Sequence, residues 1–465
     1  MRTLIVWLLC VLPLSAADMN DLNEISREWL RTDKMAITDL AGLKTWAGAG
    51  GAETIAAGTY TLDADLVIAK SASLTATGAV IIDGDSQFAV ICECPSAATA
   101  DVLITLTGTK AYPITVTNGL NALGAQFVID NNSTSHYALT VNATYLYCNS
   151  AEADNNGLNI AGSPTGEVTV TVTNGTANSN PMDGYSIKSP NAGNYSCTLR
   201  LINCVATGNG SANAASGDGF TCHSRNHHIY IDGGAYYSNT KSGGALVGEN
   251  SAGLGGTAFI RRAAIYDNGG TVTTNGDLYC SDDFQSLTID QCIFSGYDIA
   301  NATGGPVRIG AVANTLITNT VFCNPVSIDG AFSVILASEA LLGPLVVKNC
   351  DFVGFVFGTR AIYAIEGYYA AQGLTVSDCR FIGGRQGVRT PNGAVNYVVA
   401  DNYFIGHTAN AVYDANSTTK YGSMTGCGRN WFVGITTPTQ STTTQASDYP
   451  QTPVFSRGGS GIGWW

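Results

Sequence analysis

The chain has 465 residues, of which 45% are hydrophobic and only 12% are charged, and its formal net charge is −13. An acidic chain with so few cations is unsuited to a nucleic-acid partner, so we expect none. The 54 glycines and the low charge are typical of a long β solenoid whose stacked coils share one buried core.

Residues 1–17 predict a secretory signal peptide. One arginine precedes an apolar run, which is followed by the small residues Ser15 and Ala17. The run is too short for a spanning helix, and no later segment is long or apolar enough to be one. We therefore expect an exported protein without membrane insertion, located outside the cell, in a periplasm or at the cell surface.

Residues 18–48 predict an N-terminal helical cap. Asp21 and Glu24 have the spacing of a capping box, and the apolar residues around them share one helical face: Leu22, Ile25, Trp29 and Leu30. A second short helix is predicted over residues 37–46. A lid of this kind protects the open end of a solenoid from edge-to-edge association.

A phrase with alternating apolar residues recurs every 28 to 31 residues from about position 139 onward, as in Leu287-Thr-Ile289 to Cys292. Alternation at period 2 predicts strands, and a repeat near thirty residues predicts stacked coils. Each coil contains three short strands, the first of them led by Gly or Asp, as in Gly219-Phe-Thr-Cys-His223. The third strand ends in a large apolar residue: Tyr236, Ile265, Phe294, Phe322, Phe352, Phe381, Phe404 and Phe432.

A tight bend separates the second and third strands of a coil. It is often occupied by residues that tolerate left-handed backbone and can bond to each other from coil to coil: Asn174, Asn203, Gln291, Asn319, Asn349, Asp378 and Asp401. This bend resembles the second turn of the pectate-lyase-like (pectin lyase fold) right-handed parallel β-helices. The resemblance implies an all-β, single-domain, right-handed parallel β-helix of about twelve coils over residues 49–434. Residues 435–465 have no repeat phase and form a Thr/Ser/Gly-rich tail.

Twelve of the 13 cysteines remain once Cys10 leaves with the signal peptide. An even number in an oxidising compartment is compatible with disulfides. The repeat instead predicts mostly unpaired thiols that act as small apolar fillers of the core, because most of these cysteines share inward positions. The pairs Cys92–Cys94 and Cys350–Cys379 are the exceptions to consider.

The outward positions of the first strands predict a continuous face for binding. Alternation assigns twelve residues to it: Asn159, Ser186, Lys188, Thr221, His223, Leu246, Tyr279, Arg308, Ser333, Tyr363, Arg389 and Tyr413. Four cations and three tyrosines in one row suit an anionic polysaccharide, because cations neutralise carboxylates and aromatic rings support sugar faces. Lys188 and His223 belong to successive coils about 4.8 Å apart. The alternative is an ordinary solvated strand surface.

Other polar residues have simpler structural interpretations. Asp183 and Asp218 each precede a glycine at the start of a first strand, which is ordinary turn chemistry. His227 and His228 lie just before the next strand and are expected at a loop or strand edge.

Three carboxylates after the first strands predict a possible metal site. Glu249 and Asp282 are assigned the same slot in successive coils, and Asp283 adjoins Asp282. Carboxylates this close need a cation or a shared proton, and Ca²⁺ accepts such oxygen ligands. Exposed acidic loops that bind nothing are the alternative.

Two functions from different classes remain. The first, which the resemblance implies, is a polysaccharide lyase that cleaves a uronate-containing glycan by β-elimination, with Lys188 or His223 as base and Tyr279 or Arg308 assisting the leaving oxygen. The second is a non-catalytic surface, fibre or adhesin-like glycan-binding protein, which fits the Thr-rich tail. Hydrolysis is disfavoured because the paired-Asp motifs of polygalacturonase-like helices are missing. Neither the substrate nor the oligomeric state can be predicted.

Overall fold

The structure is a computed structural model, and part of the chain is described by it. The described residues are 36–161, 165–188, 195–210, 217–223, 226–247, 255–269, 276–281, 284–295, 306–323, 333–337, 343–355, 360–364, 373–390, 397–414, 426–435, 438–439 and 448.

Within the described ranges, forty strands form three sheets, named A, B and C. Sheet A contains β1 Gly51–Ile55, β4 Ala72–Ala76, β7 Val102–Thr107, β10 Leu139–Thr144, β13 Val168–Thr173, β16 Cys197–Ile202, β19 His227–Asp232, β22 Thr257–Arg261, β25 Ser286–Asp290, β28 Thr315–Thr318, β31 Leu345–Lys348, β34 Leu374–Ser377 and β37 Tyr397–Ala400. Sheet B contains β2 Gly58–Thr61, β5 Val80–Asp83, β8 Ile114–Thr117, β11 Leu146–Asn149, β14 Thr176–Asn178, β17 Val205–Thr207, β20 Ala235–Tyr237, β23 Ala264–Tyr266, β26 Ile293–Ser295, β29 Val321–Cys323, β32 Asp351–Phe355, β35 Arg380–Gly383, β38 Tyr403–Ile405 and β40 Trp431–Val433. Sheet C contains β3 Leu66–Ile68, β6 Val90–Cys94, β9 Ala125–Asn131, β12 Asn156–Ala161, β15 Tyr185–Lys188, β18 Asp218–His223, β21 Ser242–Val247, β24 Leu278–Ser281, β27 Val307–Ile309, β30 Ser333–Ala337, β33 Arg360–Ala364, β36 Gln386–Thr390 and β39 Val412–Asp414.

The three sheets wind as a right-handed parallel β-helix, which confirms the predicted fold. Neighbours within each sheet are three strands apart in the chain up to β39, so one strand of each sheet makes one coil. The described residues give sheets of 13, 14 and 13 strands, in agreement with the predicted number of about twelve coils.

A column of phenylalanine rings runs through the interior along sheet B. Adjacent rings stack with centroids 4.7 to 5.5 Å apart, in the order Phe294, Phe322, Phe352, Phe381, Phe404 and Phe432. All six side chains are buried, as their shared position in the repeat predicts. The coil spacing of a parallel sheet brings equivalent rings to stacking distance, so one aromatic position per coil builds a continuous core.

The cysteines are core residues rather than cross-links. Each of the twelve described cysteines is a free thiol, and all of them except Cys323 are buried. Burial raises the pKa of the Cys204 thiol to about 11. Its Sγ donates to the Val172 carbonyl at 3.3 Å, so the thiol also bonds to a strand of the preceding coil. Between Cys350 and Cys379 the contact is a hydrogen bond from the Cys350 N–H to the other sulfur at 3.4 Å.

The bend between sheets A and B has the predicted left-handed backbone. Positive φ values of 51° to 60° occur at all seven predicted positions: Asn174, Asn203, Gln291, Asn319, Asn349, Asp378 and Asp401. Side-chain bonds between coils form over part of this column. Asn349 donates its Nδ2–H to Asn319 Oδ1 at 2.6 Å, and Asn319 donates to Asp290 Oδ1 at 2.7 Å.

A second, fully buried amide ladder lies between sheets B and C, where the sequence analysis expects none. Side-chain N–H groups donate to the Oδ1 of the following member at 2.8 to 3.2 Å, in the order Gln126, Asn180, Asn209, Asn239, Asn268 and Asp277. The bonds from Asn180 to Asn268 join successive coils. Glycine is required beside it, because a Cβ at Gly157 would lie 2.7 Å from Asn180 Nδ2. The ladder therefore fixes where the sheet C strands of these coils begin.

The described ends of the solenoid are covered. Helix α1, Leu40–Ala49, begins at Asp39, whose Oδ1 accepts the Gly42 N–H at 2.7 Å, and buries Leu43 and Trp46 against the first coils. The predicted signal peptide and the predicted helix near residues 21–30 lie outside the described residues. At the other end, Thr439 pairs with Val412, so part of the predicted tail extends sheet C.

Candidate functional site

The outer face of sheet C carries the residues predicted to form a site. Parallel pairing aligns one residue per coil: Asn159, Ser186, Thr221, Ala245, Tyr279, Arg308, Leu336, Tyr363, Arg389 and Tyr413. We call this the sheet C column. Its cation and tyrosine positions are those that the sequence alternation predicts.

Two predicted members of the column are wrong. Leu246 pairs with Cys222 and is fully buried in the core, so Ala245 takes the outward position. The cause is Gly244, which lies under the Phe220 ring: a Cβ there would come within 2.0 Å of it. The predicted outward residue Ser333 is also displaced, because Leu336 is the partner of Arg308.

The N-terminal half of the sheet C column is covered rather than open. Ser186 and Thr221 have no exposed surface, and Asn159 is 3% exposed. Asn159 donates its Nδ2–H to the Leu123 carbonyl at 2.9 Å, so the segment before β9 lies over this face. The expectation of an exposed groove through these three positions is therefore wrong.

Lys188 and His223 occupy paired positions at the ends of β15 and β18. Their backbones are aligned across one coil spacing, as the sequence predicts. His223 is half-buried, while the side chain of Lys188 lies outside the described part. The next partners of His223 in the same line are Val247 and Ser281. A role for either residue in proton transfer stays a prediction.

Tyr279 and Arg308 are neighbours in successive coils, and both side chains are half-buried. The Arg308 guanidinium lies over the Tyr279 ring, with Cζ 5.2 Å from the ring centroid. The same arrangement recurs farther along the column, where the Arg389 Cζ is 4.9 Å from the Tyr413 centroid. A guanidinium stacked on an aromatic face loses little further entropy when it binds a carboxylate, because its orientation is already set.

The pairing of strands between coils places the Lys188 and His223 positions apart from the Tyr279–Arg308 pair. His223 lies two coils before Tyr279 and two strand positions away from its line. At the usual strand and residue spacings their backbones are roughly 12 Å apart. The Lys188 and His223 positions and the Tyr279–Arg308 pair therefore lie at different places on sheet C.

The predicted metal ligands Glu249, Asp282 and Asp283 lie outside the described residues. Val247 pairs with Ser281, so Glu249 follows its aligned strand end by two residues and Asp282 follows by one. Within the described ranges, no group of three or more His, Cys, Asp or Glu residues could hold a metal ion. The Ca²⁺ site stays a prediction.

Several polar residues set aside as structural are buried in hydrogen-bonded positions. Asp183 is 1% exposed and accepts the backbone N–H groups of Gly217 and Asp218 at 2.9 Å. His227 Nδ1 accepts the Cys197 N–H at 3.2 Å, and burial lowers the pKa of this imidazole to about 4. These contacts support the turn and strand roles expected for them.

One acidic pair on the same sheet was missed. Glu93 and Asp130 are paired in β6 and β9, and Asn132 donates to Glu93 at 3.4 Å and to Asp130 at 2.8 Å. Burial raises the pKa of Asp130, while the Asn132 bond opposes the shift. The alternation Cys92-Glu93-Cys94 does indicate an outward Glu93, but nothing in the sequence aligns it with Asp130.

Comparisons with known proteins give two similar structures. No protein-family model matches the chain, and no curated protein matches it. It is similar to the crystal structure of PfbA, a surface adhesin of Streptococcus pneumoniae, with 10% identity and a TM-score of 0.37, over 82% of this chain and 94% of that one. It is also similar to the catalytic domain of a GH87 α-1,3-glucanase variant in complex with tetrasaccharides, with 11% identity and a TM-score of 0.31, over 91% of this chain and 67% of that one. Such distant likenesses decide nothing about binding or catalysis. In the described ranges, no helix is long and apolar enough to cross a membrane.

Proposed function

We propose that this protein is an exported β-helix that binds an anionic polysaccharide along the part of the sheet C column from Tyr279 to Tyr413. The observation that carries the proposal is the aligned pair of Tyr279 and Arg308, which recurs as Arg389 and Tyr413. A linear ligand needs equivalent groups at regular intervals, and the coil repeat supplies them at about 4.8 Å.

The chemistry of these pairs selects a glycan that carries carboxylates. Guanidinium groups bind carboxylates through two parallel hydrogen bonds, and tyrosine rings support the apolar face of a sugar. The chain carries 35 acidic and 22 basic side chains, so a local row of arginines is the place where an anion is attracted rather than repelled.

We further propose that the bound polymer is a substrate for β-elimination. Lys188 or His223, whose backbones are paired, takes the proton from C5 of a uronate. The released electron pair forms the C4–C5 double bond, and the bond from C4 to the glycosidic oxygen breaks. That oxygen takes up a proton, so the products are an unsaturated uronate and a new chain end. In this role Arg308 neutralises the carboxylate of a neighbouring sugar, since the register separates it from the base.

The test is a panel of uronate polysaccharides incubated with the purified protein, with and without Ca²⁺. Binding that is weakened in Tyr279→Ala/Arg308→Ala supports the polysaccharide site, and absence of binding to every polymer overturns it. A rise in the ultraviolet absorbance of the unsaturated product supports the lyase. Binding without any product removes the lyase and favours a non-catalytic adhesin or glycan-binding protein.

A further inference from the structure

A second row of exposed side chains runs along the outer face of sheet A. Parallel pairing aligns one residue from each of five successive coils: Asn142, Thr171, Arg200, Tyr230 and Phe259. We call this the sheet A strip. Arg200 is exposed and the other four are half-buried, so every side chain in the strip reaches solvent.

The strip combines aromatic rings with guanidinium groups, as the sheet C column does. The Arg200 Cζ lies 4.5 Å from the centroid of the Tyr230 ring. At the other end, the Arg261 Cζ lies 5.8 Å from the Phe259 centroid. Asn142 and Thr171 extend the row with amide and hydroxyl groups that can bond to sugar hydroxyls.

Within the strip, Arg200 supplies the positive charge that an anion can bind. Arg261 forms an ion pair with Asp232, and so does its neighbour Arg262. In the described part of the chain, no carboxylate forms an ion pair with Arg200. An unneutralised guanidinium over the Tyr230 ring, in a row that continues to Phe259, fits a ligand that has both a carboxylate and an apolar sugar face.

We propose that the sheet A strip is a second binding site for an anionic polysaccharide, so that one molecule bridges two polymer chains. The proposal rests on the proposed function for the class of ligand. Sheets A and C form different walls of the coil and their outer faces point in different directions. A stiff chain that lies along the helix axis on one wall therefore leaves the other wall accessible.

The experiment is calorimetric titration of the full-length protein with uronate hexamers of the galacturonate, guluronate and glucuronate types. We expect two hexamers per molecule for the wild type. Tyr230→Ala/Phe259→Ala should weaken one of the two sites by about tenfold or more, as truncation of aromatic anchors does. Tyr279→Ala/Arg308→Ala should weaken the other. The control Ile293→Ala removes an exposed apolar side chain from sheet B, and both sites should persist.

Light scattering with long polymers provides a second readout. The wild type should cross-link the polymer and each double variant should bind without cross-linking, with melting temperatures unchanged because the altered residues are exposed or half-buried. Unchanged titration of Tyr230→Ala/Phe259→Ala overturns the second site. Loss of all binding in both variants also overturns it, since the two rows would then form one composite site.

Other outcomes separate this proposal from the proposed function. If only Tyr230→Ala/Phe259→Ala weakens hexamer binding, the sheet A strip stands and the sheet C site fails. If the strip binds a single-stranded oligonucleotide more tightly than every hexamer, its ligand is a nucleic acid and the glycan assignment is overturned.

Discussion

Asn268 donates its Nδ2–H to Oδ1 of Asp277 at 2.8 Å, and the backbone N–H of Asn268 reaches the same oxygen at 3.2 Å. This contact ends the buried ladder that starts at Gln126. Each amide in the ladder donates to the following member, so the last acceptor lies at the end of a chain of hydrogen bonds that polarise one another. Asp277 is fully buried, and burial raises the pKa of its carboxyl well above the usual value.

Asp277→Asn should stabilise the protein at neutral pH. The native state holds a proton on Asp277 that the unfolded chain releases above about pH 4, so the free energy of unfolding falls as pH rises from there toward the folded pKa. An asparagine side chain at this position has the same shape and can accept the same hydrogen bonds from Asn268. It does not titrate, so it does not lose stability as the pH rises. Urea titrations should show a gain of about 1 kcal/mol or more at pH 7 that disappears below pH 4. Equal stability of both proteins at pH 7 would mean that the carboxylate is satisfied in the native state.

Phe352→Ala should destabilise the protein strongly. The Phe352 ring is stacked between Phe322 at 4.8 Å and Phe381 at 4.7 Å, and none of its surface is exposed. The cavity left by the missing ring cannot collapse easily, because backbone hydrogen bonds between neighbouring strands fix the spacing of the coils. We expect a loss of about 3–5 kcal/mol by urea unfolding. Phe352→Leu, which retains most of the volume, is the control and should lose much less.

The stability should fall as the pH is lowered from about 6.5 to 4 because of His227. Burial holds the pKa of this side chain at about 4, while the unfolded chain takes up its proton near the ordinary value. The unfolded state therefore binds more protons in this window, which costs about 3 kcal/mol across it. His227→Asn keeps an acceptor near the Nδ1 position for the Cys197 N–H. The pH profile of this variant should be flatter, and a profile identical to the wild type would contradict the assignment.

If the protein is a lyase, His223→Ala or Lys188→Ala should reduce turnover by about 10²- to 10⁴-fold, as expected for the loss of a general base. The melting temperature should stay close to that of the wild type for His223→Ala, since this side chain is only half-buried. Arg308→Ala should instead weaken polymer binding and reduce its dependence on salt. Full activity of both the Lys188 and His223 variants would remove this pair from the mechanism.

Calcium should raise the melting temperature if Glu249, Asp282 and Asp283 bind it. A ligand present at 100 times its dissociation constant stabilises the native state by about 2.7 kcal/mol. Asp282→Asn should lose this effect, while Asp290→Asn, a change at a carboxylate on sheet A, should retain it. Identical melting of the wild type in Ca²⁺ and in chelator would exclude a tight site.

The alternation of residues determined the core by itself. Inward positions of a strand are set by the local backbone, so the repeat of Phe294, Phe322 and Phe352 was sufficient to predict one stacked interior. The same applies to the cysteines at equivalent positions and to the left-handed bends, because residue type and backbone conformation are coupled within a single turn.

The sheet C column required the neighbouring coils. The outward direction of Tyr279 and Arg308 follows from alternation. In β21, however, Gly243 and Gly244 have no side chains, so the sequence does not show which residues of that strand face inward. In the structure Gly244 pairs with Phe220, and a Cβ there would lie 2.0 Å from the Phe220 ring, so this register of β21 requires a glycine.

Only the tertiary structure determines which outward residues are exposed to solvent and which side chains pair in the buried amide ladder. Ser186 and Thr221 have the pattern of outward residues, yet both are fully buried. The partners of Asn180 and Asn239 lie about 29 residues away in the chain, in the adjacent coils. The physical reason is that alternation depends on one strand, whereas burial and side-chain partners depend on which loops and coils lie next to it.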